Sequence, residues 1–534
     1  MAQIKRVFQV DGQPFFPVGG QARNSSGYNQ AEAETAFQAL RLIHGNTLEI
    51  PVYWEQVEPE EGRFDWSAVD TLLALARGYD VRLVLLWFGA WKNGDMDYAP
   101  AWVKTNPARF RRVLAPTGRP VWNLSSHCRA TFEADRAAFC ALCQRLREVD
   151  RNGRVIALQI ENEPGILGCD RDYGPEAQAQ FEAPVPAELV AKIKAAGAGR
   201  VWELWQAAGA KAAGNWAELF GWAGGEAMTA WSIATYIDGL AEAGKGILDI
   251  PMYVNVWLGE GSWALAGETY PSGGAVAKML DIYKWCAPHI DLIAPDIYIG
   301  DSKGYEAMCA AYARPDNPLF VPESAPGNSN AWNLFKAAAD HDAIGYAFFA
   351  IEHVIAPDGS VRSEAQMIVD SLRCLAAAAP LLLRYQGTGR VHAVAQEENL
   401  AGQRLDLGRY WGLVEFSQPG GPRVHRDWRH LPSPTPEATR GRGLVIQAGE
   451  HEFYLVGGHY RLTLRPKLPP EPSRDPVESR DYFITRLAHY VTVDEGHLDE
   501  AGRFVIDRER NGDEVDYGVW VEPDCGVVRA VMCE

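Results

Sequence analysis

The sequence predicts a (β/α)8 barrel followed by an antiparallel, β-sandwich-like domain. Short apolar runs recur that are continuous rather than alternating, as strands buried on both faces require. Amphipathic segments of helical period lie between them, the alternation of a parallel α/β fold. After Pro380 the texture changes to turn-rich, alternating stretches, which read as antiparallel strands. With 534 residues the chain exceeds one compact core. The expected division is a barrel at 1–382, with a long insertion after its fourth strand at about 165–250, and a β-rich domain at 383–534.

The first two strands are read in "PFFPVGG" (14–20) and "NTLEIPVYW" (46–54), the next two in "VRLVLLWFGAW" (81–91) and "RVIALQIENE" (154–163). The remaining four are "PMYVNVWLG" (251–259), "IDLIAPDIYI" (290–299), "LFVPESA" (319–325) and "AIGYAFFAIEH" (343–353). Helices are expected over 30–43, 66–80, 129–149, 273–286 and 330–342, and through "LVAKIKAAGAGRVWELWQAAGAKA" in the insertion. A doubly wound sheet is the competing fold. It would favour a Gly-rich phosphate turn after the first strand, and "GGQARNSSG" is not G-x-G-x-x-G. The Pro-rich stretch 465–476 reads as an extended loop within the β-rich domain.

Composition narrows the function classes. The net charge is −18, which repels phosphate backbones and argues against a nucleic-acid partner. The sequence shows no run near the roughly 20 apolar residues of a bilayer span, so no membrane role is expected. The N-terminal residues lack the apolar core of a signal peptide. A cytoplasmic location is therefore expected, or a periplasmic or secreted one if a leader has been removed. The nine cysteines are odd in number and scattered, so no disulfide framework is expected. "CALC" at 140–143 has metal-like spacing but lies in a helical pattern with no second pair nearby, so buried thiols are favoured. A symmetric homodimer is the default for oligomeric state.

In a (β/α)8 barrel the loops after the strands build the active-site face. "QIENEPG" (159–165) ends the fourth strand with Glu163, and "VPESA" ends the seventh with Glu323. Two carboxyls on one rim suit cleavage of a glycosidic bond with retention. One attacks the anomeric carbon while the other protonates the leaving oxygen, at a separation of about 5 to 5.5 Å. The bland alternative is a pair of loop carboxylates capping the following helices. Glu161 is expected on the same strand face as Glu163 and in a structural salt bridge.

The stretches "GGQARNSS", "PVYWEQVEPEEGRFDW", "VLLWFGAWKNGDMDYAPAWVK", "IENEPG" and "VPESA" together resemble the retaining glycosidases of clan A. Within the clan they resemble glycoside hydrolase family 35, the β-galactosidases, and a bacterial branch whose barrel precedes a β-rich domain. The resemblance implies Glu163 as general acid/base and Glu323 as nucleophile. It implies Asn162 on the sugar 2-hydroxyl, Trp91, Lys92 and Asn93 near the hydroxyls of a terminal galactose, and Tyr298 hydrogen-bonded to the nucleophile. Two further residues are weaker candidates for sugar contact: Glu49 on the second strand, facing the barrel interior or mouth, and Glu352 at the pocket edge where the eighth strand ends. No metal and no organic cofactor are expected, and the partner is a β-galactoside. The chain departs from the family where Pro164 follows the acid/base and Ser324 the nucleophile. Two other readings stand beside this one: a clan A β-glycosidase for a glucoside, mannoside or arabinoside, and a glycan-binding protein without catalysis.

Overall fold

A computed structural model describes residues 7–260, 264–327, 330–397, 402–416, 440–467, 489–515 and 518–533. Each of the eight apolar runs forms a strand: Val18–Gln21, Thr47–Tyr53, Arg82–Lys92, Val155–Asn162, Met252–Trp257, Leu292–Ile297, Glu323–Ser324 and Tyr346–Phe349. We call these the first to eighth barrel strands. Every neighbouring pair is parallel, and the eighth strand lies beside the first. A parallel bridge from Val321 to Tyr346 joins the seventh strand's approach to the eighth and closes the ring. Continuous apolarity is explained by two cores. Val84, Leu86, Phe88, Tyr253 and Ala294 fill the barrel interior, while Leu83, Leu85, Trp87, Leu158 and Ile160 pack outward on the helices.

The lower end of the barrel is filled by an element absent from the sequence reading. A hairpin, Phe8–Val10 with Gln13–Phe15, sends Phe8 against Phe320 at 5.2 Å, edge to face. The insertion after the fourth strand is helical: Pro175–Glu182, Ala187–Ala196, Arg200–Ala207, Trp216–Phe220 and Gly224–Lys245. The single helix expected over 189–212 is two, because Gly197 (φ 65°) and Gly199 (φ 103°) take left-handed or related conformations that break the first helix and start the second. Likewise the helix expected over 273–286 spans only Leu280–Cys286, after an irregular lead-in that begins at Gly273 (φ 83°).

The helix after the eighth strand runs Gln366–Tyr385 and contains Pro380, where the sequence reading had it stop. Pro380 removes one backbone donor. Burial of Leu375, Ala378, Leu381 and Leu382 around it keeps the helix intact. The segment Ser363–Tyr385 is long and apolar enough, by length and composition only, to cross a membrane, and 56% of its apolar 18-residue window is buried inside this fold. One side packs on the barrel. The other meets the β-rich region, where Arg442, 2% exposed, donates from Nε to Ser371 Oγ at 2.8 Å. Because it is packed from both sides, the helix belongs to both units.

The β-rich region has two antiparallel sheets. Six strands form one, Val391–Ala395, Arg442–Gln447, Glu452–Gly458, Val527–Met532, Tyr490–Leu498 and Phe504–Glu509. Four form the other, Gly402–Leu407, Tyr410–Phe416, Tyr460–Pro466 and Val519–Val521. Their facing side chains, among them Leu407, Phe453, Leu455, Leu462 and Val528, make a separate core. Of the Pro-rich stretch, residues 468–476 lie outside the described residues, as does the start, 481–488, of a strand run read from the sequence.

Leu375 is fully buried at the junction. Leu375→Ala is expected to lower the unfolding free energy by about 2–5 kcal/mol, read from urea denaturation. A loss below about 1 kcal/mol would mean that the helix is not under this packing constraint.

Candidate active site

Three carboxyls converge where the strands end. Glu163 follows the fourth strand, Glu323 opens the seventh, and Asp296 lies on the sixth in direct register with Glu323. One oxygen from each of the three lies within 4.8 Å of the others. All three are buried. Their orientation is fixed by neighbours on other strands. Asn255, the one polar side chain among the apolar residues of the fifth strand, accepts the Glu163 backbone N–H at 2.8 Å and donates to Asp296 Oδ2 at 2.7 Å. The Tyr298 hydroxyl, two residues beyond Asp296, donates to Glu323 Oε1.

Electrostatics separate the two rim glutamates. Burial, then repulsion from Glu323, push Glu163 from 4.5 to about 7, while Lys92 and the adjoining Asp296 carboxyl pull against this. Glu323 is also raised by burial, but Lys92, the Tyr298 hydroxyl bonded to it and the adjoining Gln21 amide hold it down. The site therefore favours a protonated Glu163 beside an ionised Glu323, two environments that give like groups different roles. The Lys92 ammonium is bonded to Asn93 Oδ1 and lies 5.2 Å from the Phe88 ring centre. As a donor set, the three carboxyls have the hard oxygen chemistry that suits Mg2+ or Ca2+, and the neighbouring ammonium opposes such an ion.

Asn162 is 1% exposed, and neither its Oδ1 nor its Nδ2 has a partner among the described residues. A buried amide with both ends unsatisfied is costly unless a ligand completes it. Asn93 Oδ1 faces Lys92, and the Asn93 N–H donates to the Asn162 carbonyl at 3.0 Å, so the third and fourth strand ends are tied together. The rim backbone is strained. Asn93, Glu161, Glu163 and Ala350 have φ of 54°, 60°, 45° and 57°. Left-handed non-glycine residues cost roughly 1–3 kcal/mol each and gather where geometry is functional.

The left-handed turn at Glu161 overturns the expectation that it shares a face with Glu163. Its side chain swings outward to Asp135 on the helix Arg129–Val149, and both carboxyls are fully buried. The role is structural, as expected, but Glu161 pairs with an acid instead of a cation. Asp135 accepts from Trp87 Nε1 at 2.9 Å and Tyr236 Oη at 2.7 Å, and Glu161 Oε2 accepts the Trp91 N–H at 2.8 Å. Burial and the Asp135 charge raise Glu161 well above its usual range, so the pair holds a proton. Gly89 is required beside them, since a Cβ there would lie 2.4 Å from Trp87 Nε1 and 2.8 Å from Glu161 Oε1.

Three other expectations change. Trp91 does not offer its ring to the cleft. It is 1% exposed, packed edge-on against Tyr236 at 4.7 Å, with Nε1 bonded to Asn123 Oδ1. Glu49 lies within the barrel, 1% exposed, accepting from Tyr253 Oη at 3.0 Å. Glu352 anchors the loop after the first strand, accepting the Arg23 N–H at 3.1 Å and the Ser26 hydroxyl. In each case local partners satisfy the polar group that was expected to meet a sugar. The sequence reading did not select Asp296, Asn255, Gln21 or Asp135. Asp296 had a usable signal, since it precedes Tyr298 by two within the apolar run 290–299 read as a strand, the spacing of one strand face. A lone asparagine inside "MYVNVW" was another.

A family model described as "Beta-galactosidase", glycoside hydrolase family 42, matches residues 26–205. A second, described as a domain of unknown function (DUF5597), matches residues 368–522. A curated β-galactosidase of Xanthomonas manihotis is 26% identical over 183 residues, 33% of this chain and 28% of that protein. Solved β-galactosidase structures from Bacillus circulans sp. alkalophilus and Rahnella sp. R3 give TM-scores of 0.49 and 0.49 at 16% and 15% identity. They cover 69% and 73% of this chain, which spans 57% and 59% of theirs. The chain thus spans under a third of the curated relative and under three-fifths of these structures. The matched family is 42, which corrects the finer resemblance to family 35 while leaving the likeness to clan A β-galactosidases. Short motifs at the ends of the fourth and seventh strands carry what a clan shares, and so they do not separate its families.

A carboxyl whose folded pKa is raised keeps a proton that the unfolded chain releases above its ordinary 4.5. The native state then binds more protons, and stability falls as pH rises from about 4.5 toward the folded pKa. Glu161→Gln removes this dependence, so its melting temperature should drop less than that of wild type between pH 5 and pH 8. Parallel curves for the two proteins would show that Glu161 is ionised in the fold.

Proposed function

We propose that this protein is a retaining glycosidase that removes terminal β-D-galactosyl residues from oligo- or polysaccharides by double displacement. The observation that carries the reading is the close approach of Glu163 and Glu323, with carboxyl oxygens within 4.8 Å. An inverting pair stands about 6.5–9.5 Å apart to admit water between carboxyl and sugar, whereas a retaining pair stands at about 5–5.5 Å. The galactosyl preference is supported by the family description over 26–205, a span that includes Lys92, Asn93, Asn162 and Glu163.

In the first step Glu323 attacks the anomeric carbon as the bond to the leaving oxygen breaks, and Glu163 gives that oxygen its proton. The Tyr298 hydrogen bond orients Glu323 for attack. Formation of the ester removes the Glu323 charge, so the repulsion that raised Glu163 disappears. Glu163, now ionised, takes a proton from water as the water oxygen attacks the same carbon, and Glu323 leaves as a carboxylate. Two inversions give net retention. The unpartnered Asn162 amide supports the role of a hydrogen-bonding group for the sugar hydroxyl next to the reacting carbon.

With an aryl β-galactoside, Glu323→Ala should lose nearly all turnover and, with azide, release the α-galactosyl azide. Glu163→Ala should lose about 10²–10⁴-fold on substrates with poor leaving groups, and azide should then give the β-anomer. The same azide anomer from both variants, or undiminished turnover, would end the proposal. The kcat/KM profile should fall on its alkaline side with an apparent pKa near 7, where free Glu163 loses its proton. An alkaline limb two or more units away would remove Glu163 from the acid role.

A further inference from the structure

Two rim carboxyls account for double displacement, and the site holds a third. Asp296 is 2% exposed, and its Oδ2 is satisfied by the Asn255 amide at 2.7 Å. Its Oδ1 is buried and has no hydrogen-bond partner among the described residues. One Asp296 carboxyl oxygen lies within 4.8 Å of an oxygen of Glu163 and of an oxygen of Glu323. The titratable and charged groups that face it are Glu163, Glu323, Lys92, Tyr253, Tyr298 and Tyr312. Among the described groups that act on it, Lys92 supplies the one positive charge. Three anions around one cation in a desolvated site repel strongly, and a buried carboxylate oxygen without a donor is unfavourable. Glu323 has the Tyr298 hydroxyl and keeps its charge. Asp296 has none on Oδ1, and burial with the two glutamates drives it well above the usual carboxylate range.

We propose that Asp296 is a positioning residue that stays protonated through the cycle and donates a hydrogen bond from its carboxylic O–H to Glu163. This rests on the retaining reading above. When Glu163 has passed its proton to the leaving group, its carboxylate accepts the Asp296 O–H. That bond holds Glu163 in place for the incoming water and offsets its desolvation. When Glu163 takes the water's proton, the bond weakens and the cycle restarts. Asp296 gains and loses no proton, so the chemistry balances with Glu163 and Glu323 alone. The third carboxyl makes Glu163 a better acid in the first step and holds its carboxylate in place for the incoming water in the second.

An amide at position 296 can donate the same hydrogen bond, whereas alanine cannot. In kcat/KM against pH, Asp296→Asn should leave the alkaline limb within about 0.3 unit of wild type, and Asp296→Ala should move it up by about one unit or more. If Asp296 is instead ionised, it raises Glu163 by repulsion, and the limb moves down in both variants. A purely structural Asp296 leaves the limb unmoved in the alanine variant. Should Asp296→Ala fail to fold, infrared difference spectra of wild type minus Asp296→Asn at pH 8 decide the matter. A carboxylic-acid C=O band supports the proposal, and a carboxylate band alone overturns it. The spectrum does not depend on turnover, so a failure of the glycosidase reading would appear separately, as absence of hydrolysis by wild type.

Discussion

The site depends on the energetic cost of ionising several carboxyls in one buried place with a single ammonium beside them. Glu163, Glu323 and Asp296 crowd together at the barrel mouth, and Lys92 is the cation that acts on all three. Such an arrangement cannot carry three charges. Which group ionises is decided by surroundings: Glu323 has the Tyr298 hydroxyl and Lys92, while burial and the Glu323 charge keep the proton on Glu163. Roles that appear as residue identities in a mechanism are thus set by where hydroxyls and amides point.

The barrel supplies that setting through its strand ends. Register places Asp296 opposite Glu323, and Asn255 clamps Asp296 and the Glu163 backbone from the strand between. At the fourth strand the chain leaves regular geometry twice within three residues, at Glu161 and Glu163. The first departure sends one carboxyl outward to a buried acid pair, and the second presents the other at the rim. The Asp135–Glu161 pair, with Trp87, Tyr236 and the Trp91 N–H around it, braces the turn from behind.

Much of this was legible in the sequence because the strands announce themselves. Runs such as "VRLVLLWFGAW" are buried on both faces, and the ends of such runs give the rim. Glu163 and Glu323 follow from that, whereas the Tyr298 contact comes from the resemblance to clan A glycosidases. The failures share a cause. Strand periodicity cannot foresee a left-handed residue at Glu161, so its facing was wrong. Nor can it tell a satisfied polar group from an open one: Glu49, Trp91 and Glu352 found partners in Tyr253, Asn123 and Arg23, which come from distant positions in the chain. Pro380 ended a helix in the reading, yet packing on both sides outweighs one missing donor.

That last helix changes what the word domain means here. The family match for the C-terminal part starts at residue 368, inside Gln366–Tyr385 and ahead of any β-strand of the sandwich. The final helix of the barrel is also a wall of its neighbour, so no cut of the chain yields two whole pieces. A truncated barrel would carry a bare greasy flank, and an excised sandwich would lack part of its support. Separating the two units would strip one helix of half its cover.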